Sequence, residues 1–407
     1  MARYFRKAVV MLAGRTGWPW ARRILFLACL WLASVSVSII FLEWVTGYLY
    51  ERTPFSNGKR IIDLYLGQQP TVRSDVKGES ASLAPHPYLL YTHLPNLTTD
   101  GYQQTNSLGY RNREFTVAKP PDTMRILVLG GSTTFMWPFV KNPADTWVAR
   151  LEAKLQTISK KTVQVVNGGL NYGTSAEALA GYVFRHRFLQ PDIVIYHGGG
   201  NDVLPLFLGN YTPEYTHFRR SGAGESPRPG EKFLLRHSNT AKYAYSRWLE
   251  PIGAVVVTEP FWEVDPNTAL ERVRTQAPEG FRRNLDMLVS SSQQAGSAVV
   301  LFGFLQARKQ NLSKNAGAFK GYEEALILGL EKNYDVMREI AARYQTPFVI
   351  PSQDRFKDEW FQDNCHLSPE GEEVKAQIMF EQLRDHPRFR SVSVTGGVSI
   401  IDSASIH

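Results

Sequence analysis

The chain has 407 residues, of which 43% are hydrophobic, 12% aromatic and 21% charged. That composition excludes a disordered, collagenous or multi-span membrane protein, and at roughly 100–200 residues per domain the length allows one enlarged domain or two. The net charge of +8 would suggest a nucleic-acid or anionic partner, but residues 1–49 hold six basic residues against one acid, Glu43, so the rest of the chain is nearly balanced and no nucleic-acid partner is expected.

The first predicted element is a membrane anchor. Ile24 to Leu42 is an uncharged run of 19 residues, which as a helix would extend about 28 Å, close to the hydrocarbon thickness of a bilayer. Trp18, Trp20, Trp44, Tyr48 and Tyr50 flank it as interfacial aromatics do, and all six basic residues (Arg3, Arg6, Lys7, Arg15, Arg22, Arg23) precede it. The positive-inside rule then puts residues 1–23 in the cytoplasm and everything from about 50 onward across the membrane, periplasmic in a cell with an inner membrane. A cleaved signal peptide is the competing reading, with Ala33, Ser34 and Ser36 as a small-residue site. It is disfavoured because the apolar run continues beyond Ser36 and the basic lead is long. Cys29 lies in this run, and with Cys365 it makes only two cysteines, too few for a disulfide framework or a cysteine-based zinc site.

Residues 50–121 are rich in Pro, Gly, Asn, Thr and Tyr, and read as an extension of short strands and turns packed on a main domain spanning 122–390. In that domain, strand-length apolar runs alternate with helical stretches. RILVLG (125–130) precedes a helix over 145–159, with Asn142 as its cap and Trp147, Leu151 and Leu155 on one face. VQVVN (163–167), DIVIYHG (192–198), AVVLFGF (298–304) and PFVI (347–350) alternate with helices near 174–189, 279–296 and 321–344, and a last helix starts at Ser368-Pro369. Five buried strands alternating with helices predict an α/β fold with a parallel sheet covered on both faces. An insertion, 203–278, separates the third and fourth strands; its aromatic-rich part, 233–251, is equally readable as a lid or as a structural cap. The tail 391–407 is rich in Ser, Val and Gly and is expected to be flexible.

Ligands of open α/β sheets bind beyond the carboxyl ends of the strands. The segments leaving the strands here are polar and glycine-rich: Gly130-Gly131-Ser132-Thr133, then NGGLNYGT (167–174), GGGND (198–202) and DNCHLSPEG (363–371). A serine hydroxyl is a weak nucleophile that needs a base. His366 can serve Ser132 in that role, and Asp363, three residues earlier, can fix its tautomer and stabilise the imidazolium. The Asn201 amide, the Ser132 N–H and an N–H from 169–173 can together form an oxyanion hole.

These four segments resemble the sequence blocks of the SGNH/GDSL hydrolase family, over about residues 124–385, and TNSLGYRNREF upstream resembles the lead-in of its membrane-anchored bacterial members. The resemblance implies a flavodoxin-like three-layer α/β/α fold and cleavage or transfer of ester-linked acyl groups, often on carbohydrates, with no cofactor and no metal. It assigns Ser132 as nucleophile, Asn201 as the oxyanion asparagine, and Asp363 and His366 as the Asp-x-x-His pair. Gly169 and Gly173 bound the segment expected to supply the second amide, and its register leaves Asn171, Tyr172 or Gly173 open. Two departures stand out: Gly131 replaces the usual Asp, and the third block carries an extra glycine.

Rival readings are local. Thr133 and Thr134 compete with Ser132 as nucleophile, Cys365 reads as buried packing, His197 as packing or hydrogen bonding, and Asp202 as ordering its loop. His186, His217 and His237 lack metal-ligand spacing, and Asn96, Asn210 and Asn311 sit in glycosylation-type triplets. The expected function is a membrane-anchored esterase acting on an acylated small molecule or envelope glycan. An O-acyltransferase on an envelope polysaccharide and a non-catalytic polysaccharide-binding module are the alternatives.

Overall fold

A computed structural model describes residues 20–52, 57–66, 82–86, 88–221, 229–249, 255–257, 261–310, 312 and 319–392. The expected flexible tail lies, from residue 393 on, outside the described residues. The chain forms two compact units, one of residues 1–54 with 227–248 and one of 55–226 with 249–407.

The first unit is built on the helix Trp20–Arg52, which contains the uncharged run. It is the one helix among the described residues long and apolar enough to cross a membrane. The insertion's helices Pro229–His237 and Asn239–Leu249 join it. The contact is made where the apolar run ends. Glu43 accepts hydrogen bonds from Ser238 Oγ (2.5 Å) and from the backbone N–H of Asn239 (2.6 Å), supplying from another helix the anion that a helix N-terminus favours. Thr46 and Thr240 hydroxyls meet at 3.0 Å. The insertion is therefore not one body: residues 227–248 belong with the N-terminal helix and its remainder with the α/β unit.

In the second unit, five parallel strands form one sheet: β1 Thr123–Gly130, β2 Thr162–Gly169, β3 Ile193–Gly198, β4 Ala298–Gly303 and β5 Phe348–Val349. Their order is β5-β4-β3-β1-β2, the flavodoxin-like order, with a switch point at β1/β3. Every residue of β1 and β3 is buried, as strands covered on both faces require. Alternate side chains divide between two cores. Ile126 and Val128 pack with Trp147, Leu151 and Met379 from the helices Trp147–Gln156 and Pro369–Arg384. Leu127 and Leu129 pack with Tyr182, Phe281, Leu285 and Met337 from Ser175–Phe184, Glu279–Gln294 and Glu323–Tyr344 on the other face. A third cluster, including Val203, Phe207, Phe261, Val273, Leu326 and Leu330, joins the insertion to the long helix.

Local capping differs from expectation in two places. Asn142 caps only a short 3-10 turn, Pro143–Asp145, and Thr146 caps the α-helix after it, because the backbone of Thr146 is extended and separates the two. The Ser368 hydroxyl donates to Glu370 (2.6 Å) and leaves its own helix without a side-chain cap.

Within the first unit, Glu43→Ala is expected to remove about 1 kcal/mol of capping from Asn239–Leu249. Faster amide exchange at residues 239–241, with exchange in β1 unchanged, is the outcome to look for in the detergent-solubilised chain.

Candidate active site

Ser132 opens the short helix Ser132–Phe135 directly after β1. Its neighbour Gly131 has no room for a side chain: a Cβ would lie 2.9 Å from Asn201 Nδ2 and 3.2 Å from the Gly173 carbonyl. Gly131 is thus what lets Asn201, just beyond β3, close on the serine turn. In the third block, a Cβ on Gly200 would meet the Phe304 ring at 2.6 Å.

Three side chains form an unbroken relay. Ser132 Oγ lies 2.8 Å from His366 Nε2, and His366 Nδ1 lies 2.6 Å from Asp363 Oδ2. The other Asp363 oxygen accepts the N–H groups of Cys365 (2.8 Å) and His366 (2.7 Å), so the Asp-x-x-His turn is closed by its own carboxylate. Burial pushes Asp363 up, but the His366 hydrogen bond and charge, with these two amides, hold its carboxyl below the usual aspartate range. An acid depressed in the folded state adds stability above its unfolded value and loses it as pH falls through the folded value. Asp363 is accordingly ionised throughout the neutral range. The His366 ring is stacked on Phe139, with centroids 3.7 Å apart and planes 7° from parallel.

The rival residues go elsewhere. Thr133 Oγ1 approaches His197 Nε2 at 3.4 Å, and Trp147 Nε1 donates to the Thr133 carbonyl. His197 is fully buried with Nδ1 3.3 Å from the Phe302 carbonyl; burial and then the Lys375 charge hold it well below its ordinary pKa, hence neutral. Asp202 accepts from the Ser175 N–H and hydroxyl and from Tyr215, tying the GGGND loop to the helix after β2. Burial raises its pKa to about 6 against those lowering bonds. His186 pairs with Tyr110 and His217 with Thr212 and the Pro205 carbonyl. Cys365 is half-buried at the pocket wall, not packed away, because its neighbours Asp363 and His366 face the pocket on either side of it. With them it makes the one group in the site whose potential metal-ligand atoms converge, within 4.8 Å, and there His366 Nδ1 is held by Asp363.

The 169–173 segment differs from the sequence-based expectation. The Gly169 N–H is bound by Asn167 Oδ1 (3.1 Å) and the Gly173 N–H by the Leu170 carbonyl (2.8 Å), so neither expected donor is directed at Ser132. The Asn171 N–H points to His93 Nε2 (3.3 Å). Tyr172, at a positive φ of 60°, is the member of the segment that lines the pocket. Asn201 Nδ2 gives one hydrogen to the Gly173 carbonyl (2.9 Å), leaving the amide's second N–H.

Several residues that hold this arrangement were not legible in the sequence. From the extension's antiparallel pair Leu83–His86 and Leu90–His93, Tyr91 donates to the Asn171 carbonyl (2.9 Å) and His93 stacks on Phe135 at 3.5 Å. Arg111 donates to the Phe135 carbonyl (2.7 Å) and to that of Val140. Beneath the serine turn, Lys375 donates to the Thr133 carbonyl (2.7 Å) and is paired with Glu372 at 3.2 Å, both fully buried. Glu372 also accepts the Trp147 N–H (3.0 Å). On a helix, Glu and Lys three apart read as a solvated face; only the packing of this helix against Trp147–Gln156 buries them.

No protein-family model and no curated protein matches the chain. Among solved structures it is similar to GDSL-type acylhydrolases. A lipase/acylhydrolase from Enterococcus faecalis is 15% identical over 64% of this chain and 96% of its own, with a TM-score of 0.38. A catalytic mutant of an acetylxylan esterase from Geobacillus stearothermophilus is 16% identical over 64% and 93%, TM-score 0.37. A GDSL-like lipase from Bacteroides thetaiotaomicron is 14% identical over 64% and 86%, TM-score 0.35. The chemistry of the site rests on its own distances.

Removing one partner of a buried ion pair leaves the other charge uncompensated. Lys375→Ala is expected to cost about 3–5 kcal/mol in urea unfolding, and the double replacement Glu372→Gln with Lys375→Met markedly less.

Proposed function

We propose that the protein is a serine hydrolase of the SGNH/GDSL type that cleaves carboxylic esters, held at the membrane by its N-terminal helix with the catalytic unit on the extracytoplasmic side. The single observation that carries the reading is the continuous Ser132–His366–Asp363 relay, at 2.8 and 2.6 Å, opening into one pocket with Asn201.

Each step uses groups already in place. Ser132 Oγ attacks the ester carbonyl carbon while its proton passes to His366 Nε2, and the ionised Asp363 stabilises the imidazolium. The tetrahedral oxyanion is met by the second N–H of Asn201 and the Ser132 amide. Collapse breaks the ester C–O bond, and His366 returns the proton to the departing alkoxide. Water then attacks the acyl-serine with His366 again as base, releasing the acid and restoring Ser132. An acylated envelope sugar is the proposed natural ester, because the helix Trp20–Arg52 would hold the catalytic unit next to envelope glycans. The six basic residues ahead of the apolar run favour a cytoplasmic N-terminus.

A fluorophosphonate probe is expected to label the wild-type chain and to leave Ser132→Ala unlabelled; undiminished labelling of that variant refutes the nucleophile. Asp363→Asn should lower kcat by about 10⁴-fold through the wrong His366 tautomer, and Asn201→Ala by about 10²–10³-fold. Both are measured on an aryl ester.

A further inference from the structure

Beside the relay lies a pocket of about 320 Å³, and its far wall comes from none of the four glycine-rich segments. Val203, Phe261, Phe319, Leu326, Leu330 and Trp262 form that wall, contributed by the insertion, the segment just ahead of the long helix and the first turns of that helix. Phe261 and Phe319 stack face to face with centroids 5.0 Å apart. Leu326 and Leu330, one helical turn apart, are buried at 7% exposure, and both belong to the apolar cluster, with Val203 and Phe261, that joins the insertion to the long helix. Trp262, 52% exposed, stands at the rim. Apart from the relay and Asn201, the side-chain polar groups lining this space are few: Gln306, Asn364, Cys365, the Tyr172 phenol and, at the rim, the Trp262 indole N–H.

Two physical facts decide what such a space takes. Sugar hydroxyls buried against it would lose their water without finding partners, a penalty for each group left unsatisfied. Apolar carbon gains instead, in proportion to the area removed from water. Size points the same way. A single water needs about 10–15 Å³ of comparable space, so the pocket far exceeds what the one methyl of an acetyl group fills. We infer that this pocket is an acyl-chain site, and that the preferred substrate carries an apolar acyl group of about four to eight carbons, with the alcohol half of the ester at the open mouth. This inference rests on the ester-cleaving reading above and adds to it the acyl half of the substrate.

The test is the chain-length profile of the full-length protein in detergent, on p-nitrophenyl acetate, butyrate and hexanoate, run beside fluorophosphonate labelling. The expected result is a kcat/KM that rises by about fourfold per added methylene where each is fully buried. Leu330→Phe, which narrows the pocket, is expected to reduce the hexanoate-to-acetate ratio by at least about tenfold, and Phe319→Ser, at a half-buried position, to reduce it less. A wild-type profile that is flat or falls beyond acetate, with Ser132 still labelled, overturns the acyl-chain site and leaves the serine-hydrolase reading standing. Absence of both turnover and labelling overturns that reading and the inference with it. The wild-type profile needs no variant to fold.

Discussion

The hydrogen bond from Ser132 to His366 joins loops 234 residues apart in the chain, and the rest of the α/β unit is what makes a 2.8 Å contact possible over that distance. Parallel strands all present their carboxyl ends at one edge, so a turn leaving β1 and a loop beyond β5 are delivered to the same rim of the sheet. The loop arrives in the right place because Leu367, packed in the core, and the helix Pro369–Arg384 fix it from behind. The turn is fixed from below by Lys375 and from the side by Arg111, each donating to carbonyls around it. A relay of side chains this short tolerates little displacement, which is why so many buried charges are committed to the backbone around it.

Those buried charges are costly to desolvate, and their placement separates two kinds of polar group. Lys375, Glu372 and Arg111 lie outside the pocket and act on the backbone, so they shape the site without touching what enters it. Asp363 is held ionised by His366 and by two amides of its own loop. Asp202 and His197, close in sequence to the third block's asparagine, are instead consumed in structural bonds. The pocket beyond the relay is left to aromatic and aliphatic groups of the insertion and of the long helix with the segment ahead of it, a division in which the glycine-rich loops carry the relay and these added groups shape the space beside it.

The sheet was legible because its strands are buried on both faces and therefore read as continuous apolar runs, as RILVLG and DIVIYHG do, and the five strands lie where those runs predict. The loops were legible because glycine, serine, asparagine and an Asp-x-x-His spacing are short-range patterns. Three things were not. The amide donor of the 169–173 segment depends on which N–H groups the turn spends on itself, and Gly169 and Gly173 spend theirs. Glu372 and Lys375 look like a solvent-facing pair until a neighbouring helix covers them. The insertion reads as one segment, yet Glu43 draws residues 227–248 to the N-terminal helix.

The sequence by itself determined the alternation of strands and helices, the apolar span with its charge asymmetry, and the identity of a serine, a histidine and an aspartate suited to one another. Those are consequences of local composition and spacing, which need no knowledge of distant neighbours. Tertiary structure alone decided that Ser132, and neither Thr133 nor Thr134, faces His366, that Gly131 admits Asn201, and that the space beside them is apolar. The physical reason is that hydrogen bonds and close contacts are set to within tenths of an ångström by the packing of elements far apart in the chain, and no residue spacing encodes that distance.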